Sequence, residues 1–206
     1  VSADSMMSSA EPIAADGPVF VSTWAFGQVT NETGMRSLTA DGSLLDAIEM
    51  GIREIESDAS YHSVGFGGTP NADGVVQLDA CIMDHRYNAG SVTAIEEIAH
   101  PISVARMVME RTKHVMLAGA GARKFALEQG MEAIAMLTED RRQKWETWLK
   151  TQEEMSLDES HDTIALVARS ADGTLSGGCS TSGWGVQTRR ARRQLTHHRQ
   201  WTLRGW

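Results

Sequence analysis

The chain has 206 residues, of which 41% are hydrophobic and 22% are charged, and this composition excludes an intrinsically disordered protein. No apolar run approaches the ~20 residues that a membrane-spanning helix needs, so we expect no membrane partner. The formal net charge is −8, but residues 184–206 carry six arginines and no acid. Residues 1–183 therefore hold 13 basic against 27 acidic side chains. A body this acidic disfavours nucleic acid as a partner.

We expect that residues 1–17 are not an intact secretion signal. Residues 1–17 do not begin with Met and contain no apolar stretch of the about 7–15 residues that such a signal needs. We expect them to be a flexible lead that ends at Pro18. The compartment stays open between periplasm and cytoplasm.

Helices and strands are mixed along the rest of the chain. Ser43, with Asp46 three residues later, forms the pattern of a capping box, and Pro101 suits the first turn of another helix. An Ala-Asp-Gly turn signal between two apolar runs predicts a hairpin. Strands are predicted at 19–24, 75–84, 114–118, 164–169 and 175–181, and helices at 31–38, from 43, from 101, at 121–129 and within 138–160. This order predicts an α+β fold in which helices cover an antiparallel sheet.

Apolar periodicity indicates which faces are buried. The helix from 43 and the strand at 75–84 each have one apolar face, formed by Leu45, Ile48, Ile52 and Ile55 and by Val76, Leu78, Ala80 and Ile82. Cys81 lies on the other face of its strand, and Cys179 lies in the last strand. Two reduced thiols are favoured over a bridge, because nothing here resembles a small disulfide-rich scaffold.

The segment around Thr163 carries the most specific chemistry. A charged helix and exposed linker within 138–160 lead into His161-Asp162-Thr163, and an apolar strand follows at once. Cleavage between Asp162 and Thr163 would give Thr163 a free α-amine with an ordinary pKa of ~8, able to take the proton from its own hydroxyl. On this tripeptide alone, a strand that happens to begin with Thr is the simpler interpretation.

Further motifs change that interpretation. They resemble the glycosylasparaginases (aspartylglucosaminidases), members of the N-terminal-nucleophile hydrolases, over roughly residues 18–185. The matching blocks are 22–26 (STWAF), 41–47 (DGSLLDA), 63–68 (SVGFGG), 78–84 (LDACIMD), 161–164 (HDTI) and 180–183 (STSG). The related plant-type asparaginases share the threonine chemistry but lack this Trp-containing strand and the SVGFGG loop. The glycosylasparaginase branch is therefore favoured.

The resemblance implies an αββα four-layer sandwich, incomplete in this chain, that is made as a self-cleaving precursor. Residues 18–162 would be the α chain, and 163–187 would begin the β chain. The hydroxyl of Thr163 would attack the preceding carbonyl, with Asp162 assisting and His161 beside it in the autoproteolysis segment. Paired chains would assemble as (αβ)₂.

The same resemblance assigns roles to individual site residues. Thr163 would be the nucleophile, Thr181 would hydrogen-bond near it, Trp24 would line the substrate pocket, and Ser63 would lie in the supporting loop. Each has a plainer interpretation: Trp24 as a core residue, Thr181 as a cross-strand polar pair, and Ser63 as the start of a turn.

The implied reaction is hydrolysis of the side-chain amide of a glycosylated asparagine, a small-molecule substrate. L-asparaginase or isoaspartyl peptidase activity is the alternative within the superfamily. We expect no metal, because His161 has no second ligand at useful spacing. We also expect no cofactor, because the Gly-rich run 117–121 has Lys124 where a dinucleotide loop needs its third glycine.

The basic tail 188–206 departs from the family pattern. The family has a Gly-Arg-Val-Gly-Asp-Ser-Pro segment that grips the substrate, and later a Thr-Gly-Asn-Gly segment that forms the oxyanion hole; neither is present. Synonymous codons for Arg190–Arg204, read one base later, give Gly-Arg-Val-Gly-Asn-Ser-Pro-Ile-Ile-Gly-Ser-Gly-Leu-Tyr. We therefore expect the residues after about Gln187 to be out of frame.

The missing segments have a consequence for activity. Acyl transfer loses roughly 10²–10³ in rate for each missing oxyanion donor, so we expect the chain as written to be inactive and poorly stable. The alternative is a non-enzymatic relic whose basic tail binds an acidic partner through Arg and Trp.

Overall fold

The computed structural model describes residues 17–151 and 163–183. The helices are α1 (Gly27–Thr39), α2 (Leu44–Ser57), α3 (Pro101–Arg111), α4 (Gly119–Glu128) and α5 (Glu139–Thr151). The strands are β1 (Val19–Ser22), β2 (Leu78–Met83), β3 (Ala89–Ile95), β4 (Met116–Ala118), β5 (Ile164–Arg169) and β6 (Leu175–Thr181). The described residues therefore have a mixed α+β fold, which confirms the predicted class.

All six of these strands form one sheet, in the order β1-β5-β6-β2-β3-β4. Every neighbouring pair is antiparallel except β3 and β4, which are parallel. The predicted hairpin is confirmed as β5–β6, with Ile164 opposite Ser180 and Arg169 opposite Leu175. The centre of the sheet thus brings β6 against β2, which lies about 100 residues earlier in the chain.

Helix α2 begins and packs as its sequence dictates. The Ser43 hydroxyl accepts a hydrogen bond from the backbone N–H of Asp46 at 3.1 Å, and the Asp46 carboxylate accepts one from the backbone N–H of Ser43 at 2.7 Å. This is the predicted capping box. Its isoleucines Ile48, Ile52 and Ile55 are fully buried. Burial of each such side chain stabilises the fold by about 1.5–3 kcal/mol.

One face of the sheet packs against helices. Gly178 of β6 lies directly beneath Ile48 of α2 and Ile102 of α3, because a Cβ at that glycine would come within 3.0–3.2 Å of both side chains. The buried core between these layers includes Leu78, Ile82, Ile164 and Leu166. We call this the helix-covered face.

The opposite face of the sheet, which we call the open face, keeps apolar side chains in solvent. Val21 of β1 and Val167 of β5 are directly paired, and they are 63% and 48% exposed. The described residues thus supply one helical layer and one sheet, which is consistent with an incomplete αββα sandwich.

Several details differ from prediction. Strand β3 was not predicted, the first strand ends at Ser22 rather than at Trp24, and α1 is longer than the predicted 31–38. None of the described helices is both long and apolar enough to cross a membrane. The predicted tail 188–206, residues 1–16 of the predicted lead, and the linker residues 152–162 lie outside the described residues.

Candidate functional site

Strand register brings the candidate residues together at one end of the sheet. Thr163 directly precedes Ile164, which pairs with Ser180, so the continued antiparallel register sets Thr163 opposite Thr181. Thr181 in turn pairs with Asp79 of β2. Thr163, Thr181 and Asp79 therefore form a row across the sheet, although more than 80 residues separate Asp79 from the other two.

Thr23 holds the backbone of Thr163 in place. The Thr23 hydroxyl donates to the carbonyl oxygen of Thr163 at 2.6 Å and accepts from the backbone N–H of Ala165 at 2.9 Å. The backbone N–H of Thr23 also donates to the carbonyl of Ala165 at 3.1 Å. The side chain therefore extends the β1–β5 pairing past the end of the strand. The sequence contained Thr23 inside a recognised block, but no role was predicted for it.

Trp24 lies outside the strand in which it was predicted. Its backbone has φ 65°, and its carbonyl accepts from the N–H of Gly27 in the turn that enters α1. Its side chain is 57% exposed, which excludes the core interpretation. A bulky residue in the left-handed region is strained by about 1–2 kcal/mol, and such strain concentrates at functional sites. Trp24 is adjacent to Thr23, at the rim of the candidate site.

Thr181 and the glycine-rich loop 63–68 contact each other at the end of β6. The buried Thr181 hydroxyl lies 3.4 Å from the carbonyl oxygen of Ser63 and accepts from the N–H of Gly183 at 3.0 Å. The same Ser63 carbonyl accepts from the N–H of Ser182 at 2.6 Å. Ser63 therefore contacts the end of β6 through its backbone. This fixes the position of Thr181 but leaves the predicted role of the Ser63 side chain untested.

The loop needs glycine because of close backbone approaches. Gly65 has φ 60°, and a Cβ there would lie 2.2 Å from the carbonyl oxygen of Glu56. A Cβ at Gly68 would lie 2.9 Å from that of Ser182. The SVGFGG loop is thus wedged between the end of α2 and the residues that follow β6.

Asp79 organises the other side of the row. One carboxylate oxygen accepts from the Thr93 hydroxyl at 2.7 Å and from the backbone N–H of Ala94 at 2.6 Å. Ala94 has φ 52°, and the β2–β3 register shifts between Leu78 and Ala80. An acidic side chain in the middle of an apolar strand was the available signal for Asp79, yet the sequence analysis assigned it no role.

A buried carboxyl group lies beneath the site, on the helix-covered face. Glu56 is fully buried, its Oε1 accepts from the N–H of Ile102 at 3.0 Å, and its Oε2 lies 3.4 Å from Nδ1 of His100. Burial raises the pKa of Glu56, although His100 and Ser180 oppose that shift. Ser180 immediately precedes Thr181, so this group supports the strand that carries the candidate site. Its sequence signal is weak: Glu56 occupies the helical position four residues after Ile52.

Helix α5 confirms the predicted charged helix. Its Trp145 indole N–H donates to the carbonyl of Ala72 at 3.2 Å, and the ring packs over Gly74. Nearby, burial lowers the pKa of His62, and the positive charges of Arg141 and Lys144 lower it further. The imidazole beside Ser63 is therefore neutral at pH 7.

Two predicted site residues lie outside the described residues. His161 and Asp162 belong to the segment 152–162, so their roles stay predictions. Within the parts of the chain that the structure describes, no three His, Cys, Asp or Glu side chains lie together in a way that could hold a metal ion.

Comparison with known proteins places these features in a family. A family model described as Asparaginase matches residues 8–190. The chain belongs to the asparaginase family. It is 48% identical over 183 residues to an N(4)-(Beta-N-acetylglucosaminyl)-L-asparaginase of Elizabethkingia miricola, covering 88% of this chain and 54% of that protein. This confirms the resemblance to glycosylasparaginases.

Other branches of the family are also similar to this chain. An Isoaspartyl peptidase/L-asparaginase of Rattus norvegicus is 36% identical over 156 residues, covering 73% of this chain and 46% of that protein. A Plant-type L-asparaginase of Pyrococcus furiosus is 44% identical over 115 residues, covering 55% of this chain and 37% of that protein. The chain spans about half the length of the curated glycosylasparaginase and isoaspartyl peptidase that it matches.

Proposed function

We propose that the gene encodes a self-activating amidohydrolase in which Thr163 becomes the N-terminal nucleophile. The observation that carries this proposal is the position of Thr163. It directly precedes β5, its carbonyl is held by Thr23, and the strand register sets it opposite Thr181. A nucleophile needs such a fixed backbone, because small errors in position cost large factors in rate.

Activation would begin with an acyl shift. The Thr163 hydroxyl attacks the carbonyl carbon of Asp162, and the peptide C–N bond breaks as the Thr163 nitrogen leaves as an amine. Water then hydrolyses the resulting ester and leaves a free carboxylate on Asp162. Asp162 would assist the attack, and His161 lies next to it in the sequence. The products are an α chain, 18–162 after its lead, and a β chain that begins at Thr163.

Catalysis would use the new amine as the base. With a pKa of ~8 it accepts the hydroxyl proton, and the alkoxide attacks the substrate amide. The leaving amine departs, and water hydrolyses the acyl-threonine to release aspartate. Thr23 would fix the Thr163 backbone through both steps, while the Thr181 hydroxyl lies across the register as a hydrogen-bond partner.

The substrate we propose is N4-(β-N-acetylglucosaminyl)-L-asparagine. The support is the long match to the Elizabethkingia protein, together with the exposed Trp24, whose ring can pack against a sugar or an aspartyl group at the rim of the site. The match to the rat isoaspartyl peptidase favours β-aspartyl peptides or free asparagine as the second candidate. The assembly we propose is (αβ)₂.

We also propose that the reading frame changes after about residue 187. The family match ends at residue 190, three residues into the basic tail 188–206, which we propose to be read out of frame. A protein that carries this tail would lack the arginine that binds the substrate carboxylate in a bidentate manner and would be inactive. The shifted frame restores an Arg-Val-Gly sequence.

The test uses the protein expressed from its native gene, so that the natural reading frame after residue 187 is kept. Aspartate release is measured from the glycosylated asparagine, from asparagine and from a β-aspartyl dipeptide. We expect the glycosylated substrate to have the highest kcat/KM. Thr147→Ala, at an exposed threonine of α5, is the matched control and should leave the rate unchanged. Equal rates for wild type and Thr163→Ala would contradict the proposal.

A further inference from the structure

The open face carries a pair of cysteines that the proposed reaction does not use. Cys81 of β2 and Cys179 of β6 are directly opposite each other in the antiparallel register, and their sulfur atoms are 3.3 Å apart. Both are free thiols in this structure. Two sulfurs at this distance on neighbouring strands form a dithiol, not two isolated core residues.

The backbone is already placed for a covalent bond. Directly opposite residues in antiparallel strands have Cα atoms about 4.5–5.5 Å apart. Disulfides bridge Cα atoms about 4.4–6.8 Å apart. The sulfurs need to approach by only about 1.3 Å to reach the bonded distance of about 2.05 Å, and side-chain rotation supplies that.

The two thiols differ in access and in acidity. Cys81 is partly exposed, whereas Cys179 is only 4% exposed. The two thiols are hydrogen-bonded to each other, with either sulfur able to donate. This contact lowers the pKa of Cys81, while the same contact and burial raise the pKa of Cys179. Gly177 precedes Cys179 by two residues on the same face and has no side chain to cover the sulfurs. Cys81 is therefore the attacking thiol, and Cys179 is the resolving one.

We propose that Cys81 and Cys179 are a redox modification site that closes to an inter-strand disulfide when exposed to a low-molecular-weight disulfide such as oxidised glutathione. The Cys81 thiolate attacks one glutathione sulfur, which forms a mixed disulfide and releases one glutathione thiolate. Cys179 then loses its proton to solvent and attacks the Cys81 sulfur, which releases the second glutathione. Two protein thiols are oxidised, and one glutathione disulfide is reduced to two thiols.

The disulfide would join parts of the chain that self-cleavage separates. Cys81 lies before the Asp162–Thr163 bond and Cys179 lies after it, so the bridge would link the α and β chains covalently. It would also fix β2 against β6 two residues from Asp79 and Thr181, which pair with each other in the candidate site. This consequence rests on the proposed function, whereas formation of the disulfide does not.

The test treats the purified protein with oxidised glutathione and then counts free thiols under denaturing conditions. We expect both thiols to be lost, the intact mass to fall by two hydrogen atoms, and a peptide map to contain Cys81 linked to Cys179. Dithiothreitol should restore both thiols. Two thiols that remain titratable, or only glutathione adducts and intermolecular dimers, would overturn the proposal.

Two variants separate this result from the cleavage chemistry. The Cys81→Ser chain should gain at most one glutathione and never lose two hydrogens. The Thr163→Ala chain should still form the bridge while it stays in one piece. In cleaved wild-type protein, the oxidised chains should migrate together on a non-reducing gel and separate after reduction. If the Cys81→Ser chain does not fold, the peptide map of the wild-type protein decides the question alone.

Discussion

The two faces of the sheet differ in how deeply their side chains are buried. On the helix-covered face, Ile52, Leu78 and Ile164 are fully or almost fully buried and pack between two layers. On the open face, Val21 and Val167 stay in solvent, and the row of Thr163, Thr181 and Asp79 ends nearby. The helix-covered face therefore supplies most of the buried core, whereas the chemistry that we propose lies on the open face. Substitutions on the two faces should therefore affect different measurements.

The largest expected effect is on the open face. Thr163→Ala removes the only hydroxyl that can start the acyl shift at that bond, so cleavage should stop and hydrolysis should fall by about 10⁴-fold or more. Thr163→Ser keeps a hydroxyl and should retain part of both reactions. The check is kcat/KM together with the fraction of cleaved chain. An unchanged unfolding midpoint in the uncleaved Thr163→Ala variant would show that stability does not depend on this side chain.

The largest expected stability effect is on the helix-covered face. Ile52→Ala leaves a cavity between α2 and the sheet and should lower the free energy of unfolding by about 2–5 kcal/mol. Urea denaturation measures it. A loss below about 1 kcal/mol would mean that the two layers are not tightly packed.

Glu56, on the helix-covered face, should make the free energy of unfolding depend on pH. Burial raises the pKa of Glu56 in the folded state. The stability that its protonated form contributes is complete below the unfolded pKa of ~4.3 and is lost as pH rises through the raised pKa. Between the unfolded and the folded pKa of Glu56, the free energy of unfolding of the wild type should fall by up to about 1.4 kcal/mol per pH unit relative to that of Glu56→Gln. Thermal unfolding of both proteins from pH 4 upward measures this difference, and parallel curves would contradict it.

A smaller effect is expected at Thr23, where the position of the Thr163 backbone can be tested separately from the stability of the fold. Thr23→Val keeps the shape but removes the hydroxyl that bridges Thr163 and Ala165. We expect a loss of about 0.5–1.5 kcal/mol in unfolding free energy. Cleavage should slow more than this loss explains, because the Thr163 backbone is then less fixed. A cleavage rate equal to wild type would exclude a positioning role for Thr23.

The smallest effect should come from Val167→Thr. The side chain points into solvent on the open face, so unfolding free energy should change by no more than about 0.5 kcal/mol. A larger loss, measured by the same urea denaturation, would mean that another part of the protein covers this face in solution.

The sequence predicted those elements of the fold that are determined by neighbouring residues, and it missed those that depend on distant contacts. The capping box at Ser43 and the β5–β6 hairpin follow from short-range chemistry, and both are confirmed. Strand β3 was missed because the bulge at Ala94 interrupts its alternation, and only the distant Asp79 explains that bulge. Trp24 was placed in a strand because its left-handed turn has no glycine to mark it.

Only part of the candidate site was predicted from the sequence. Thr163 and Thr181 were predicted from recognised motifs, and the register sets them opposite each other. Thr23, Asp79 and Glu56 were given no role, because their contacts join residues between 14 and about 140 positions apart. No local pattern records such contacts.

The most direct measurement is the denaturing intact mass of the protein expressed from its native gene. The account predicts two fragments, the first ending at Asp162 and the second beginning at Thr163 and heavier than residues 163–206. A single uncut species with the mass of the 206-residue chain would contradict both the threonine nucleophile and the shifted frame.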